Sequence, residues 1–396
     1  MIPVLQGYRV LDLTHVLAGP FAGYQLAVLG AEVIKIEPPA EPDQARFQGS
    51  DQALNDIGLG TAFLSQGSNK KAVTLNLKTE QGREVLFKLV ETADVFVENY
   101  RPGALDKLGL GYQDLAAVNP RLVYCSISAF GSSGPKKALT AYDGVIQAYS
   151  GMMAMTGMPG SEPVKCGAPV VDYATGTTAA MAILAALLQR AQQGGKGQFV
   201  EVAMSEVAMV LCSSHITSHL WNGSHPEQKG NRYPFATIGC YQASDGPLMV
   251  SASNLRQQRR LWLALGRPDL VKQNNRERIQ DFKTEFDALT DAFQLHTVAR
   301  WETLLREHQV PVSRVQRMEA MLTDEHTQSR EVLHRFGEEA DNLNGLVVPV
   351  AGFRLSNAPV AVTTRPQAPG AQNMEVLTSL GYAVSEIEQL KTSGVV

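Results

Sequence analysis

Tyr8-Arg9-Val10-Leu11-Asp12-Leu13, a helix-length stretch opened by Pro20 and closed by Gly30, and then Ala31-Glu32-Val33-Ile34-Lys35-Ile36-Glu37 make up the stretch on which the fold turns. Two β-rich runs flank a segment with proline near its start and glycine at its end, which is the order of a βαβ unit and predicts parallel strands. Further along, residues 80–92 place Val85, Leu86, Leu89 and Val90 at helical spacing, residues 94–98 form a short apolar strand, and residues 122–128 supply another. Alternation of this kind is α/β layering. Residues 175–193 read as an alanine- and leucine-rich helix ended by Gly194-Gly195, residues 198–203 resume an extended pattern, and a further apolar helix is expected through Leu220.

From about residue 223 the texture changes. Glycine, proline and histidine gather near His225-Pro226, and a hairpin-like stretch at 239–251 turns at Asp245-Gly246. Residues 256–335 read as mostly helical and highly charged, residues 346–362 as β-rich, and the last 20 or so as a helix packed on the main domain. The expected organisation is a large domain begun by residues 1–222 and resumed by 336–396, with a small α+β domain at 223–335.

The 396 residues are 44% apolar and 19% charged, the mix of a soluble globular protein with ample core. Lys and Arg number 35 against 39 Asp and Glu, a net charge of −4 that offers no bulk attraction to nucleic acid. Cys125, Cys166, Cys212 and Cys240 lie far apart with no CxxC pair, so neither a zinc site nor a disulfide framework is expected, and a reducing cytoplasm is. The N-terminus lacks a basic segment followed by an apolar one, and residues 179–188, the longest apolar stretch, are about half of the roughly 20 needed to cross a bilayer. No membrane partner is expected.

Several chemistries drop out on motif grounds. Leu17-Ala18-Gly19-Pro20-Phe21-Ala22-Gly23 stands where a dinucleotide site needs GxGxxG, and a proline occupies the turn. Gly109-Leu110-Gly111 reads as a turn, and no GxxxxGK[ST], HExxH or GxSxG is present. His215 and His219 have i, i+4 spacing but no nearby carboxylate or third histidine, so they read as packing or interface residues and no metal is expected.

Five ordered blocks resemble family III CoA-transferases, the family of formyl-CoA and carnitine CoA-transferases. They are residues 5–20 (LQGYRVLDLTHVLAGP), 29–37 (LGAEVIKIE), 69–78 (NKKAVTLNLK), 93–103 (ADVFVENYRPG) and 122–134. The resemblance implies a Rossmann-like large domain built from both chain ends, a smaller inserted domain, and two chains interlocked as a homodimer. It places the catalytic carboxylate in Ala168-Pro169-Val170-Val171-Asp172-Tyr173-Ala174-Thr175-Gly176, at Asp172. An aspartate before a long helix can be held near the helix N-terminus, where backbone N–H groups favour its ionised form; the alternative is that it merely caps that helix. An ionised carboxylate needs no general base to attack a thioester.

The implied chemistry exchanges one thioester for another without ATP or a tightly bound cofactor, coenzyme A and acyl-CoA being substrates. Backbone N–H groups near Leu17-Ala18, or at the helix start after Asp172, are the oxyanion candidates. By the resemblance, His15, Leu17 and Ala18 lie beside the pantetheine; Leu75 to Lys78 and Asn99, Tyr100 and Arg101 follow the nucleotide. Lys107 sits near a phosphate, and Tyr142 with Asp143 by the thiol end. Arg46 and Lys71 are further electrostatic candidates. Asn231 and Arg232, in Gly230-Asn231-Arg232-Tyr233-Pro234, are candidates to bind the acceptor acid, for which a short dicarboxylate is expected with succinyl-CoA as donor.

Two departures bear on specificity: Leu17 replaces the glutamine of formyl-CoA transferase, whose glycine-rich loop is also missing, and Pro38 replaces an arginine that often contacts CoA. Two other readings remain. The 2-methylacyl-CoA racemases share the fold but use a histidine where this chain has Tyr142, and a phenol titrating near 10 shuttles protons poorly at neutral pH. The second is a CoA-binding protein without turnover.

Overall fold

A computed structural model of the chain describes residues 1–337 and 343–396. Its centre is a six-stranded sheet: β1 (Arg9–Leu13), β2 (Glu32–Glu37), β3 (Lys70–Thr74), β4 (Val95–Glu98), β5 (Val123–Ser128) and β6 (Phe199–Ala203), in the order β3-β2-β1-β4-β5-β6. Every neighbouring pair is parallel. The chain winds outward from β1 to β3, returns across β1 to β4, and winds outward again to β6, so the strand order reverses between β1 and β4. In sheets of this kind ligands bind at that reversal, beyond the carboxyl ends of the strands.

The pleat sorts side chains to two cores. Leu11, Leu13, Ile34, Ile36 and Phe96 face one layer, with the helix Glu80–Glu91. Val10, Val33, Val95 and Val97 face the other, with the helices Ala18–Val28 and Val170–Gln192. The first of these two helices buries nine of its 11 residues, which is why it shows no amphipathic stripe. The second, 23 residues long, is long and apolar enough to cross a membrane, but it lays Ala179, Ile183, Ala186 and Leu187 into the core. It starts at Val170, ahead of the expected residue 175, with Pro169 at its N-cap position.

The chain divides into two compact units. The larger holds residues 1–152, 165–224 and 331–396; the smaller holds 153–164 and 225–330. Residues 153–164, expected in the larger unit, go with the smaller one, because the Gly230 N–H donates to Gly157 O at 2.7 Å and the Gln228 amide to Thr156 O at 3.1 Å. That unit has an antiparallel sheet of β7 (Ile238–Ala243), β8 (Gly246–Ser251) and β9 (Val312–Arg314), packed by helices through Tyr241, Trp262, Phe293 and Trp301.

The β-rich reading of residues 346–362 is corrected. Only Val347–Pro349 pairs, with Leu333–Arg335, and Val348 and Val362 pack as single side chains against Tyr24 and Val28. Near the chain's end two helices, Asn373–Ser379 and Val384–Thr392, carry Val376, Leu377, Ile387 and Leu390 into the core of the larger unit.

Candidate active site

Beyond the carboxyl ends of β1, β4, β5 and β6 lies a cleft of about 500 Å3, formed within the larger unit. Residues 15–18 after β1, 99–102 after β4, Ser128 and Ala129 at the end of β5 and Met204 after β6 line it, joined by residues 139–142 and Asp172. The two loops at the strand-order reversal are tied by one side chain. The His15 N–H donates to Asn99 Oδ1, and Asn99 Nδ2 donates to His15 O, both at 2.9 Å. The His15 ring meets Tyr100 edge to face, and burial holds its imidazole below the ordinary range, partly offset by Asp43.

Asp172 occupies the first turn of the long helix and is 9% exposed. The cap of that helix comes from elsewhere in the chain: Asp143 Oδ2 accepts the N–H groups of Val171 (2.8 Å) and Asp172 (3.2 Å). Gln147 steadies the cap, donating to Asp143 Oδ1 while its own oxygen accepts the Cys166 N–H at 2.9 Å. Two carboxyl groups therefore share one helix N-terminus. Burial, and then the Asp143 charge, push Asp172 up to about 7. The expectation of a carboxylate fully ionised at neutral pH is corrected: the helix dipole acts on it, but burial and a like charge prevail.

Close backbone approach places the loop after β1 against this helix. A Cβ at Gly176, one turn beyond Asp172, would lie 2.5 Å from Ala18 O. Gly19 and Gly23 serve the other side of the first helix, where Cβ atoms would strike Thr14 and Asp12. Gly19, Gly23 and Gly176 thus bring helix, strand and helix together.

Beneath the cleft runs a buried charge chain. Lys70 pairs with Asp12 (2.8 Å), Lys35 with Asp43 (3.0 Å), and Arg46 with Glu37 through both carboxylate oxygens (2.8 and 2.6 Å); all six residues are at most 5% exposed. Removing one member of such a pair leaves an uncompensated buried charge, typically costing about 3–5 kcal/mol. Burial raises the Asp43 carboxyl, but Lys35 and the N–H groups of Val16 and Ala45 outweigh it and hold it below its ordinary value.

Of the residues expected to contact substrate, the cleft brings together His15, Leu17, Ala18, Asn99, Tyr100, Arg101, Tyr142 and Asp172. Asp143 is instead the buried cap behind Asp172. Arg46 is corrected from an electrostatic candidate for CoA to an internal ion-pair partner, fully buried with its guanidinium over Phe63 at 3.8 Å. Lys71 is committed to Glu32 and Glu375, both at 2.7 Å, at the start of β3 and so at the amino edge of the sheet. Leu75 is a core residue at 1% exposure, while Lys78, on a turn, and Lys107, in the short helix Asp106–Leu108, are exposed and do not line the cleft. Asn231 and Arg232 are exposed in the smaller unit, the Arg232 guanidinium lying 5.3 Å from the centre of the Phe286 ring. His215 and His219 lie on a helix, Ser213–Asn222, that buries none of its residues, and His219 Nδ1 is 2.9 Å from Ser224 O. Among the described residues no group of three or more His, Cys, Asp or Glu is arranged to hold a metal.

The sequence reading passed over Glu98, at the end of β4. It is 5% exposed, receives the Tyr100 N–H at 2.8 Å, and is pushed up to about 7 by burial. It also lines a second cavity of about 380 Å3, bordered by Arg101 and Pro102, which border the cleft too. An acidic residue ending an otherwise apolar strand was the available signal.

Comparison with known proteins identifies the family to which the chain belongs. The model of CoA-transferase family III matches residues 5–373. Succinyl-CoA:glutarate CoA-transferase of Homo sapiens is 33% identical over 408 aligned positions, covering 100% of this chain and 90% of that protein. Succinyl-CoA–D-citramalate CoA-transferase of Chloroflexus aurantiacus is 33% identical, covering 99% and 98%. The crystal structure of a CAIB/BAIF family protein from Brucella suis superposes with a TM-score of 0.83 at 29% identity, covering 96% of this chain and 100% of that one.

Proposed function

The chain belongs to CoA-transferase family III and is a CoA-transferase acting on CoA thioesters, and we propose that it moves CoA from succinyl-CoA to a short dicarboxylic acid, with Asp172 as nucleophile. The observation that carries this reading is a single buried carboxyl, in the first turn of the long helix, on the wall of a cleft at the strand-order reversal. The choice of donor and acceptor class is supported by relatives whose names join succinyl-CoA to glutarate and to D-citramalate.

The Asp172 carboxylate attacks the thioester carbonyl and expels CoA thiolate, leaving a mixed anhydride of Asp172 and succinate. The thiolate attacks the aspartyl carbonyl, succinate departs as carboxylate, and Asp172 holds CoA as a thioester. The acceptor carboxylate then displaces the thiolate to form a second anhydride, and the thiolate takes the acceptor's acyl group, freeing Asp172. Each tetrahedral oxyanion requires donors. The N–H groups of Ala18 and Gly19, which open the helix Ala18–Val28, have no intrahelical acceptor, and Ala18 borders the cleft.

Two such chains are proposed to act as an interlocked homodimer, a reading supported by the helix Ser213–Asn222, which a single chain leaves without a buried residue. The racemase reading is set aside, because Tyr142, 60% exposed, stands where that chemistry needs a histidine.

The test is incubation of the protein with succinyl-CoA and a panel of acids (glutarate, itaconate, mesaconate, malate, formate and carnitine-type acids), with new CoA esters followed by mass spectrometry. Thioesters of the dicarboxylates that vanish with Asp172→Ala are expected. No exchange with any acid, together with deuterium entry at the α-carbon of a 2-methylacyl-CoA, would move the chain to the racemases.

A further inference from the structure

Val16 has φ +71°, and among the described non-glycine residues at positive φ (Val16, Asn69, Gln309, Glu331) it alone is β-branched. A branched Cβ is at its least comfortable in the left-handed region, so the surrounding structure must impose the conformation. Here two side chains do so. Asp43 Oδ1 accepts the Val16 N–H at 2.9 Å, and Gln66 Nε2 donates to Val16 O at 2.7 Å. Asp43 is itself braced, its other oxygen taking Lys35 Nζ at 3.0 Å, while the same ammonium group reaches Thr14 O at 2.8 Å. The grip therefore spans the chain on both sides of His15, which Asn99 clamps from β4.

The consequence falls on the next two residues. The left-handed turn at Val16 ends the run out of β1 and starts the helix at Ala18, so that Leu17 and Ala18 border the cleft that holds Asp172. Val16 borders the same cleft. A glycine there would adopt this backbone freely, but the chain keeps a valine and adds two anchors.

We propose that Asp43, braced by Lys35, is a positioning residue of the transferase, holding Val16 in the left-handed conformation so that the Leu17–Ala18 turn meets the thioester at Asp172. This rests on the transferase reading above. It also gives a role to Asp43 in a segment, Pro42-Asp43-Gln44-Ala45-Arg46, whose Arg46 was expected to contact ligand and is instead an internal ion-pair partner.

A double-mutant cycle between Asp43→Ala and Val16→Gly tests it, because glycine removes the strain that Asp43 is proposed to hold. In the native background Asp43→Ala is expected to lower kcat about 100-fold, the scale of a roughly 1 Å misplacement, with KM for acyl-CoA moving far less. In the Val16→Gly background the same substitution is expected to cost less than about tenfold, while the melting temperature falls equally in both. An unchanged kcat for Asp43→Ala, or an equal loss in both backgrounds, overturns the proposal. Should Asp43→Ala not fold, Gln66→Ala takes its place in the cycle, with the same shrinkage expected and the same equal loss fatal. If the native protein exchanges no CoA with any acid, the transferase reading fails instead. The cycle is then read in the crystal structure of Asp43→Ala, where Val16 leaving the left-handed region supports the positioning role and an unmoved Val16–Ala18 backbone overturns it.

Discussion

As the proposed nucleophile Asp172 must be an anion to attack, and its surroundings resist that charge: the carboxyl is 9% exposed and a second carboxyl, Asp143, shares its helix N-terminus. With the group pushed up to about 7, the anionic fraction falls about tenfold for each pH unit below that point and saturates above it. We therefore expect kcat/KM for succinyl-CoA to rise with unit slope below about pH 6, to bend near pH 7 and to level off above pH 8, as initial rates across a pH series will show. Asp143→Asn keeps an oxygen for the cap and deletes the like charge, so the midpoint should move to lower pH; burial, the larger cause, remains, and the midpoint should not reach the range of a free aspartate. A midpoint that stays put would mean that Asp143 acts on Asp172 only as a cap. The sequence block around residue 172 was enough to nominate Asp172 as the nucleophile proposed above. It pointed to the wrong charge state, a full anion at neutral pH, because neither the burial of the carboxyl nor Asp143, 29 positions away on another helix, can be read from that block.

Elements meet at this site through glycine. Gly176 allows the long helix to touch the Ala18 carbonyl one turn beyond Asp172, where a Cβ would stand 2.5 Å from a backbone oxygen that has no rotamer to change. Gly176→Ala should thus separate Asp172 from the Leu17–Ala18 turn. Overpacking of this kind costs about 1–3 kcal/mol, and a shift of roughly 1 Å is worth about 100-fold in rate, so we expect a modest drop in melting temperature beside a much larger fall in kcat. Rates close to native would show that the contact is not part of the catalytic geometry. At this scale the pattern of strands and helices was legible, since period-2 runs such as Val10-Leu11 and Val33-Ile34 sort to opposite faces. The start of the long helix was not, because its cap is a side chain brought in by tertiary structure. Nor were the charges of β2 and its following loop. Lys35, Glu37, Asp43 and Arg46 have the composition of a solvated or ligand-binding stretch, and only the fold reveals that each finds its partner inside.

For the molecule as a whole, the helices Met204–Leu211 and Ser213–Asn222 raise the question of what covers them. The second has ten residues, none buried, and helices shorter than about 12–15 residues are marginal in water without packing. Val210, Leu220 and Trp221 are 71, 79 and 88% exposed along this stretch, the kind of apolar surface that marks a protein interface. A second copy of the chain is the partner we propose, and the interlocked form makes a claim that an ordinary dimer does not. Threaded rings separate only if a chain unfolds. Light scattering should give twice 42.9 kDa, and the mass should hold on dilution from micromolar to nanomolar. In denaturant, loss of helix and loss of mass should then share one midpoint. Substituting Leu220 and Trp221 together by aspartate should lower that midpoint without yielding a folded single chain. A folded chain of single mass would remove the dimer, and reversible dissociation with helix content intact would leave a dimer packed side by side, whose subunits dilution can part because no chain passes through the other.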